Sequence, residues 1–451
     1  MRTNKYKVII VGAGPAGIFA AIELLNGGIK DILIIDKGKS VKDRLSTETL
    51  CGVGGAGLFS DGKLNFTPVL GKTNLTEFVS LNEANKLISY IEKIFSDFGV
   101  KEKTYPTDIK KAKDYQRVAK RNGMEILLIK QRHLGSDKLP QYVGEMENFL
   151  REKGINFFLE TMVEKILAKN GKVLGVKTSQ GENLLAENLI IAPGRVGNQW
   201  LSKELNLLGL EMEQCNFEIG VRVEVPLEIM EEITSVIYDP TVLIRTSSYD
   251  DLVRTFCTNP SGFVVKENYK NFVCVNGHAT KNHRSPNSNF ALLDKVNLTE
   301  PVTDTVTYGE SICYLANTIG GGKPILQRFV DFKRYRRSTW RRLRKSYIEP
   351  TLTDVTPGDI SMAFPHRIVV NIVEALEKLD QLIPGVSSDS TLLYAPEAKF
   401  FSVKPKVDKD LQTEIKGLFV AGDGAGVSGN IVGAAATGII AARGILKKDK
   451  N

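Results

Sequence analysis

Gly12, Gly14 and Gly17, with Asp36 nineteen residues beyond the last of them, are the residues whose types and spacing first suggest chemistry. Each glycine has its own use: Gly12 permits a tight turn, Gly14 lets a phosphate approach the backbone, and Gly17 lets a helix pack closely on a strand. A diphosphate would sit on the N–H groups of a helix N-terminus opening at Pro15, Ala16 and Gly17. Asp36, with Lys37 beside it, lies where a carboxylate accepts both hydroxyls of an adenosine ribose and repels a 2′-phosphate, which favours FAD or NAD over NADP. The elements that must position these residues surround them. The apolar run Val8 to Val11 reads as a buried strand, an alanine-rich helix follows the glycines, and a second apolar run, Ile32 to Ile35, ends at Asp36. Together they make a βαβ dinucleotide fingerprint.

The stretch Gly417 to Ala442 selects between the dinucleotides. A short strand, Leu418 to Ala421, runs into Gly422-Asp423-Gly424, and Gly429, Asn430 and Ile431 lead into a helix of small residues. This resembles the second FAD motif of the glutathione reductase superfamily, and the resemblance implies that Asp423 binds the ribityl chain of FAD. The helix start would direct a partial positive charge at the flavin N1/C2=O edge, where negative charge gathers on reduction. Ile431 to Ala442 is too short, and too interrupted by Gly433 and Gly438, to cross a bilayer, so no membrane span is expected.

Between these ends, Gly52, Gly54, Gly55 and Gly57 crowd into six positions, a density that no strand or helix interior tolerates. In the superfamily the corresponding loop wraps the flavin, which adds Gly54, Gly55, Gly57, Ser60, Asp61 and Gly62 to the cofactor-binding residues. Lys63 follows. It either stabilises negative charge on a flavin or holds a substrate carboxylate, or else Asp61-Gly62 is a type I′ turn with Lys63 in solvent. His133 precedes a helix with Ser136 or Asp137 as N-cap, and reads as a structural hydrogen-bonder or a cofactor-side group. Residues 155–191 alternate short strands and turns, a β-meander ending in Ala192-Pro193-Gly194. That turn resembles the superfamily's return to the FAD-binding sheet, so Ala192, Pro193 and Gly194 join the site, and Arg195 is placed for a phosphate or a structural carboxylate.

The 451 residues are 42% hydrophobic and 25% charged, the composition of a globular protein with core for two or three lobes. No apolar leader precedes the first strand, and the expected compartment is the cytoplasm. Five cysteines without a CxxC, and four dispersed histidines, argue against a metal site and an adjacent dithiol. The formal charge of +8 has one source. Lys333 to Lys345 holds eight basic residues and no acid, and the remaining 52 basic residues equal the 52 acids. With Tyr335 and Trp340 interleaved, this run is either a solvated face or a binder of RNA, polyphosphate or an anionic carrier.

Phe217 to Val225 alternates, with Ile219, Val221, Val223 and Val225 on one face and Glu218, Gly220, Arg222 and Glu224 on the other; the short strands that follow predict a largely antiparallel sheet. The predicted fold is α/β. A Rossmann-like FAD-binding domain of glutathione reductase type, with its β-meander, takes residues 1–75, 123–214 and 355–451; a helical insertion takes 76–122, and an antiparallel-sheet α+β substrate domain takes 215–354. A helix from about Arg367 to Leu379 is expected to return the chain to the FAD-binding domain.

GVGGAGLFSDGKL, RHLGSD, LIIAPGR, IGVRVE, TFCTNPSG, VNGH with the later NSNFALL, and GLFVAGDGAGVSGNIVGAAATGI, in this order, resemble the uncharacterised FAD-dependent dehydrogenases of bacteria and archaea. That family lies in the glutathione reductase superfamily and is distantly similar to geranylgeranyl reductases and thiazole synthases. The resemblance implies an FAD oxidoreductase, a dehydrogenase or reductase passing hydride between flavin N5 and a small organic substrate, anionic ones included. The ring is expected between residues 54–63 and the 217–330 region. Asn259 and Ser261 replace a cysteine and a glycine frequent in the family, which excludes a redox pair there and leaves Cys257 either packed or beside the flavin. No second GxGxxG sits between strand and helix, so electrons would come from the substrate, from NAD(P)H docking transiently, or from a redox partner protein. Lys63, Arg222 and His278 are the acid/base candidates. A flavin monooxygenase, and an FAD-containing protein that associates with or modifies RNA, are the alternatives on such a fold.

Overall fold

The computed structural model describes residues 4–45, 50–135, 138–213, 217–269, 271–279, 283–296, 298, 305–400 and 404–449. They fall into two units. The first comprises Met1–Glu102, Arg132–Cys215 and Ser402–Asn451; the second comprises Lys103–Gln131 and Asn216–Phe401.

An apolar run without alternation suits a strand buried on both faces, and Lys5–Val11 is one. It pairs in parallel with Ile32–Ile35 on one side and Asn183–Ile191 on the other. Asn156–Phe158 extends the parallel sheet beyond Ile32–Ile35, and Leu418–Val420 pairs in parallel with Asn183–Ile191. Val163–Lys169 and Lys172–Thr178 form the antiparallel meander, joined by Asn170 and Gly171, both at positive φ. Asn156–Phe158 thus belongs to the main sheet and not to the meander. Helix Leu81–Asp97 starts at a capping box between Ser80 and Glu83. The helix Leu139–Glu152 was expected, while its proposed caps Ser136 and Asp137 lie outside the described residues, as does Cys215. Helices Pro15–Asn26 and Ile431–Asp449 lie backbone to backbone: a Cβ at Gly438 would stand 2.0 Å from the Ala16 carbonyl oxygen. Among the described residues no helix is long and apolar enough to cross a membrane.

The second unit carries an eight-stranded sheet in the order Thr356–Pro357, Ile325–Arg328, Leu392–Phe400, Phe217–Pro226, Asn287–Val296, Leu252–Asn259, Thr241–Arg245, Met124–Leu127. Its neighbours are antiparallel except for the pair Ile325–Arg328 and Thr356–Pro357. Ile219, Val221, Val223 and Val225 enter a core with Ile368, Val369, Ile372 and Leu376 of helix His366–Asp380. The opposite face, with Glu218, Arg222 and Glu224, is buried as well.

Two predicted boundaries therefore move. Residues 355–401 belong to the second unit, because Leu392–Phe400 hydrogen-bonds to Phe217–Pro226 and helix His366–Asp380 packs on that sheet. Residues 103–131 join the same unit, 103–122 from the proposed insertion and 123–131 from the proposed FAD-binding domain: strand Met124–Leu127 pairs with Thr241–Arg245, helix Ile109–Arg121 places Ala112 and Ala119 against Met124 and Ile126, and Gln116 Nε2 donates to the Ile126 carbonyl at 2.9 Å.

One buried acid ties helix His366–Asp380 to the sheet. Asn371 Nδ2 donates at 2.8 Å to Asp294 Oδ2, and burial pushes the Asp294 carboxyl up to about 7, with the Asn371 hydrogen bond opposing and the Asp251 charge reinforcing the rise. A carboxyl whose folded pKa lies above its unfolded value binds more protons in the folded state, so stability falls as pH rises from about 4 to about 7. Asp294→Asn should flatten this part of the melting-temperature profile, raising the midpoint at pH 8 relative to the parent but not at pH 4. A profile unchanged by the substitution would remove Asp294 as its source.

Candidate functional site

The first unit gathers most of the predicted residues. Gly12 has φ of 108°, and a Cβ there would lie 2.0 Å from the Ala192 carbonyl oxygen; at Gly17 it would lie 1.9 Å from the Gly12 carbonyl oxygen. These two glycines are packing requirements. Gly14 differs: a Cβ there meets only Gly55 Cα, at 3.8 Å, which leaves an open cradle between two glycine backbones. Helix Pro15–Asn26 has no side-chain cap on its N-cap Gly14 and no acid in its first turn, so its leading N–H groups and positive end face that cradle uncompensated.

Asp36 organises the turn. Its Oδ2 accepts from Ala13 N, and its Oδ1 accepts from Gly38 N and Gly52 N, each at 2.8 Å. A carboxylate offers about four lone-pair positions, so one remains on Oδ2. Backbone N–H groups thus fill three of the positions, which leaves room for one of the two ribose hydroxyls expected there. The glycine loop is laced onto the same turn by Gly54 N to Ala13 O at 2.8 Å and by Arg44 Nη1 to the Val53 and Gly55 carbonyls at 2.8 and 2.9 Å. Lys37 is exposed. Pro15, Gly54, Gly57 and Ile431 line one small apolar cavity with Ile18, Phe19 and Val143.

At the second motif, Gly424 rests on the Gly194 carbonyl, where a Cβ would come within 2.1 Å. Ala192-Pro193-Gly194 is thus a seam, carrying Gly12 on one carbonyl and Gly424 on another. Asp423 faces Lys72, its ion-pair partner, and Arg195, whose Nε lies 3.2 Å from Oδ2. Burial alone would raise its carboxyl; Arg195 and Lys72 more than offset that and hold it below the usual range. Of the two readings of Arg195, the structural carboxylate holds. Asn430 Oδ1 caps helix Ile431–Asp449 through Gly433 N at 2.7 Å, and Gly429 N donates to Thr73 Oγ1 at 2.9 Å. Beside them Ser428 Oγ is fully buried with no hydrogen-bond partner among the described residues. An orphaned hydroxyl, an uncapped helix end and a glycine cradle suit an elongated polar ligand with a diphosphate, and FAD fits them.

Lys63 is not in solvent. It is 8% exposed and ion-pairs with Asp61 Oδ2 at 3.0 Å. Burial raises the Asp61 carboxyl, but the Lys63 ammonium and His133 together bring it below the ordinary value. Ser60 Oγ donates to the Gly57 carbonyl, and Gly62, at φ 69°, accepts from Leu134 N. An ionised carboxylate, an ammonium and an imidazole thus converge after the glycine loop.

The other two acid/base candidates sit in the second unit. Arg222 is fully buried, its Nε 3.0 Å from Glu397 Oε2, Nη1 donating to the Cys257 carbonyl at 3.0 Å and Nη2 to Asn276 Oδ1 at 3.2 Å. With every nitrogen engaged and none reaching solvent, Arg222 is a structural cation, which corrects its acid/base assignment. His278 ends strand Val273–His278 and is half-buried. Cys257 is half-buried at φ 51°, its carbonyl held by Arg222 and by Asn259 Nδ2 at 2.8 Å. Sequence reasoning missed Lys72, Thr73 and Ser428. No motif marks the first two, which lie near position 423 only in space; Ser428 lay inside a recognised motif and carried no distinguishing neighbour.

The parallel sheet, the fingerprint and the second glycine motif define a flavoprotein, an FAD-dependent oxidoreductase. Residues 216–400 match the family described as FAD-dependent protein, C-terminal domain-like, and residues 353–451 match the one described as glucose inhibited division protein A. A Clostridium beijerinckii chain, named only as an uncharacterized protein, is 26% identical over 486 positions, covering 98% of this chain and 81% of the relative. Among solved structures, the chain is similar to the 3-ketosteroid-Δ4-(5α)-dehydrogenase of Rhodococcus jostii RHA1, with 11% identity, 98% of this chain and 97% of that one covered, and a TM-score of 0.45. It is also similar to the quinol fumarate reductase of E. coli, with 12% identity, 99% and 71% covered, and a TM-score of 0.45.

Proposed function

We propose that this FAD-dependent oxidoreductase is a dehydrogenase or reductase that passes hydride between flavin N5 and a carbon of a small organic substrate, anionic ones included. Its electrons arrive with that substrate or from a redox partner protein, without a nicotinamide-binding domain of its own. The carrying observation is the Asp61–Lys63–His133 cluster. FAD, when bound, supplies the two-electron chemistry. Lys63 sets a fixed positive charge where negative charge develops, Asp61 stays ionised and keeps that ammonium in place, and His133 contributes the side chain best suited to proton exchange near neutrality. The thiols of Cys51, Cys257, Cys274 and Cys313 are free, which suits a reducing compartment, and we assign the protein to the cytoplasm on that basis.

The test is an anaerobic titration of the holoprotein. Stoichiometric NADH or NADPH should leave the visible flavin band in place over the seconds in which dithionite bleaches it. Rapid, saturable bleaching by either nucleotide would overturn the electron-source assignment. Lys63→Met should make the flavin midpoint potential more negative by about 30 mV, equivalent to about 1.4 kcal/mol for a two-electron couple; an unchanged potential would remove Lys63 from the flavin's surroundings.

A further inference from the structure

The basic run between Lys333 and Lys345 lies in the second unit, which shows what its charges do. Three of the eight are used internally. Arg336 Nε pairs with Asp331 at 2.6 Å, Lys333 pairs with Glu377 at 2.5 Å, and Arg342 Nη1 donates to the Arg337 carbonyl at 2.6 Å. The other five, Arg334, Arg337, Arg341, Arg344 and Lys345, are exposed, and none has a carboxylate in ion-pair range among the described residues. From Arg328 to Ile348 the single acid is Asp331, which is fully buried and bound by Arg328, Arg336 and the Ser338 hydroxyl. Nothing within the segment screens the five cations. Tyr335, Trp340 and Tyr347 stand among them 54%, 45% and 68% exposed.

Tyr335 stacks on His366 and the Tyr347 hydroxyl bonds to Ser388, whereas the Trp340 ring stands in water among the five guanidinium and ammonium groups with no ring partner among the described residues. Arginine forks match phosphate oxygens, and exposed rings stack on bases. Short helices Phe329–Lys333 and Trp340–Leu343, with Tyr335 at φ 49° between them and stacked on His366, fix this array on the surface. We propose that this surface binds single-stranded nucleic acid, phosphates on the five cations and bases on Trp340 and its neighbouring tyrosines. Charge alone would suit an anionic bilayer or an acidic protein. Stacking surfaces among the arginines favour bases.

The experiment uses the full-length holoprotein and fluorescent 20-nucleotide RNA and DNA single strands, with duplex DNA and vesicles of 30% phosphatidylserine as competitors. Saturable binding is expected, with the logarithm of affinity falling against the logarithm of salt with a slope of about −0.7 for each phosphate contacted, roughly −3.5 for five. Arg337→Ala together with Arg341→Ala should flatten that slope by about 1.4. Trp340→Ala should weaken binding roughly tenfold and leave the slope unchanged. The flavin spectrum of each variant reports that the fold is intact. Absence of saturable binding, equal binding by the arginine double variant, a Trp340→Ala variant of parental affinity, or displacement by the vesicles in preference to the single strands would each overturn the proposal.

Discussion

Gly14→Ala should purify as a folded but largely colourless protein. Gly14 has φ of −74°, a value open to any residue, and the added methyl would meet nothing nearer than Gly55 Cα at 3.8 Å. The backbone therefore does not resist the change, and an alanine N-cap costs at most about 1 kcal/mol. The methyl would instead occupy the space between the helix N-terminus and the glycine loop, where a diphosphate must come to the N–H groups, and overpacking there costs about 1–3 kcal/mol of binding, roughly 5- to 150-fold in FAD affinity. Gly12→Ala is the contrasting variant. Its Cβ would fall 2.0 Å from the Ala192 carbonyl with the backbone at φ 108°, so about 1–2 kcal/mol of conformational strain adds to about 1–3 kcal/mol of displaced backbone, and both fold and flavin suffer. Denaturant unfolding with flavin-to-protein ratios separates the two. Full flavin occupancy in Gly14→Ala would mean that the diphosphate does not lie at this turn.

How much was legible in the sequence followed the range of the interactions. The fingerprint could be read because its strand, turn, helix and acid lie within 31 residues and determine one another. The residues holding Asp423 could not, since Lys72 lies 351 positions away and reaches it only through the fold. The second unit shows the same limit. Alternation from Phe217 to Val225 correctly gave an antiparallel strand, but such a pattern ordinarily describes a sheet with one wet face. Here the polar face is dry, because hairpin Phe263–Asn268/Val273–His278 brings Gly277 onto it, so close that a Cβ at Gly277 would stand 2.6 Å from Arg222 Nη2. Leu392–Phe400 went unread for a related reason. Its partner Phe217–Pro226 lies some 170 residues earlier, and only that pairing draws 355–401 away from the parallel sheet.

That dry face sets the largest stability effect expected in the molecule. Arg222→Met should destabilise the protein by about 3–5 kcal/mol, since removing one member of a buried ion pair leaves the other short of counter-charge, here with only the Lys399 ammonium, 3.4 Å from Glu397 Oε1. Glu397, fully buried, is the member left behind. Burial already pushes its carboxyl up, and Arg222 and Lys399 draw it back only part of the way. Without Arg222 its folded pKa would climb further above the unfolded value, so the folded state would hold a proton that the unfolded state has released. Stability of Arg222→Met should then fall as pH rises above about 4.5 until the folded carboxyl itself ionises, a steeper loss than the parent shows. Adding Glu397→Gln removes the titrating group. The double variant should lose that pH dependence and regain much of the stability, because exchanging both partners of a buried pair is close to neutral. Urea unfolding at pH 5 and pH 8 measures all of this. If Arg222→Met costs less than 1 kcal/mol at both values, the guanidinium is not the counter-charge of Glu397, and its bonds to the Cys257 carbonyl and Asn276 would be its main role.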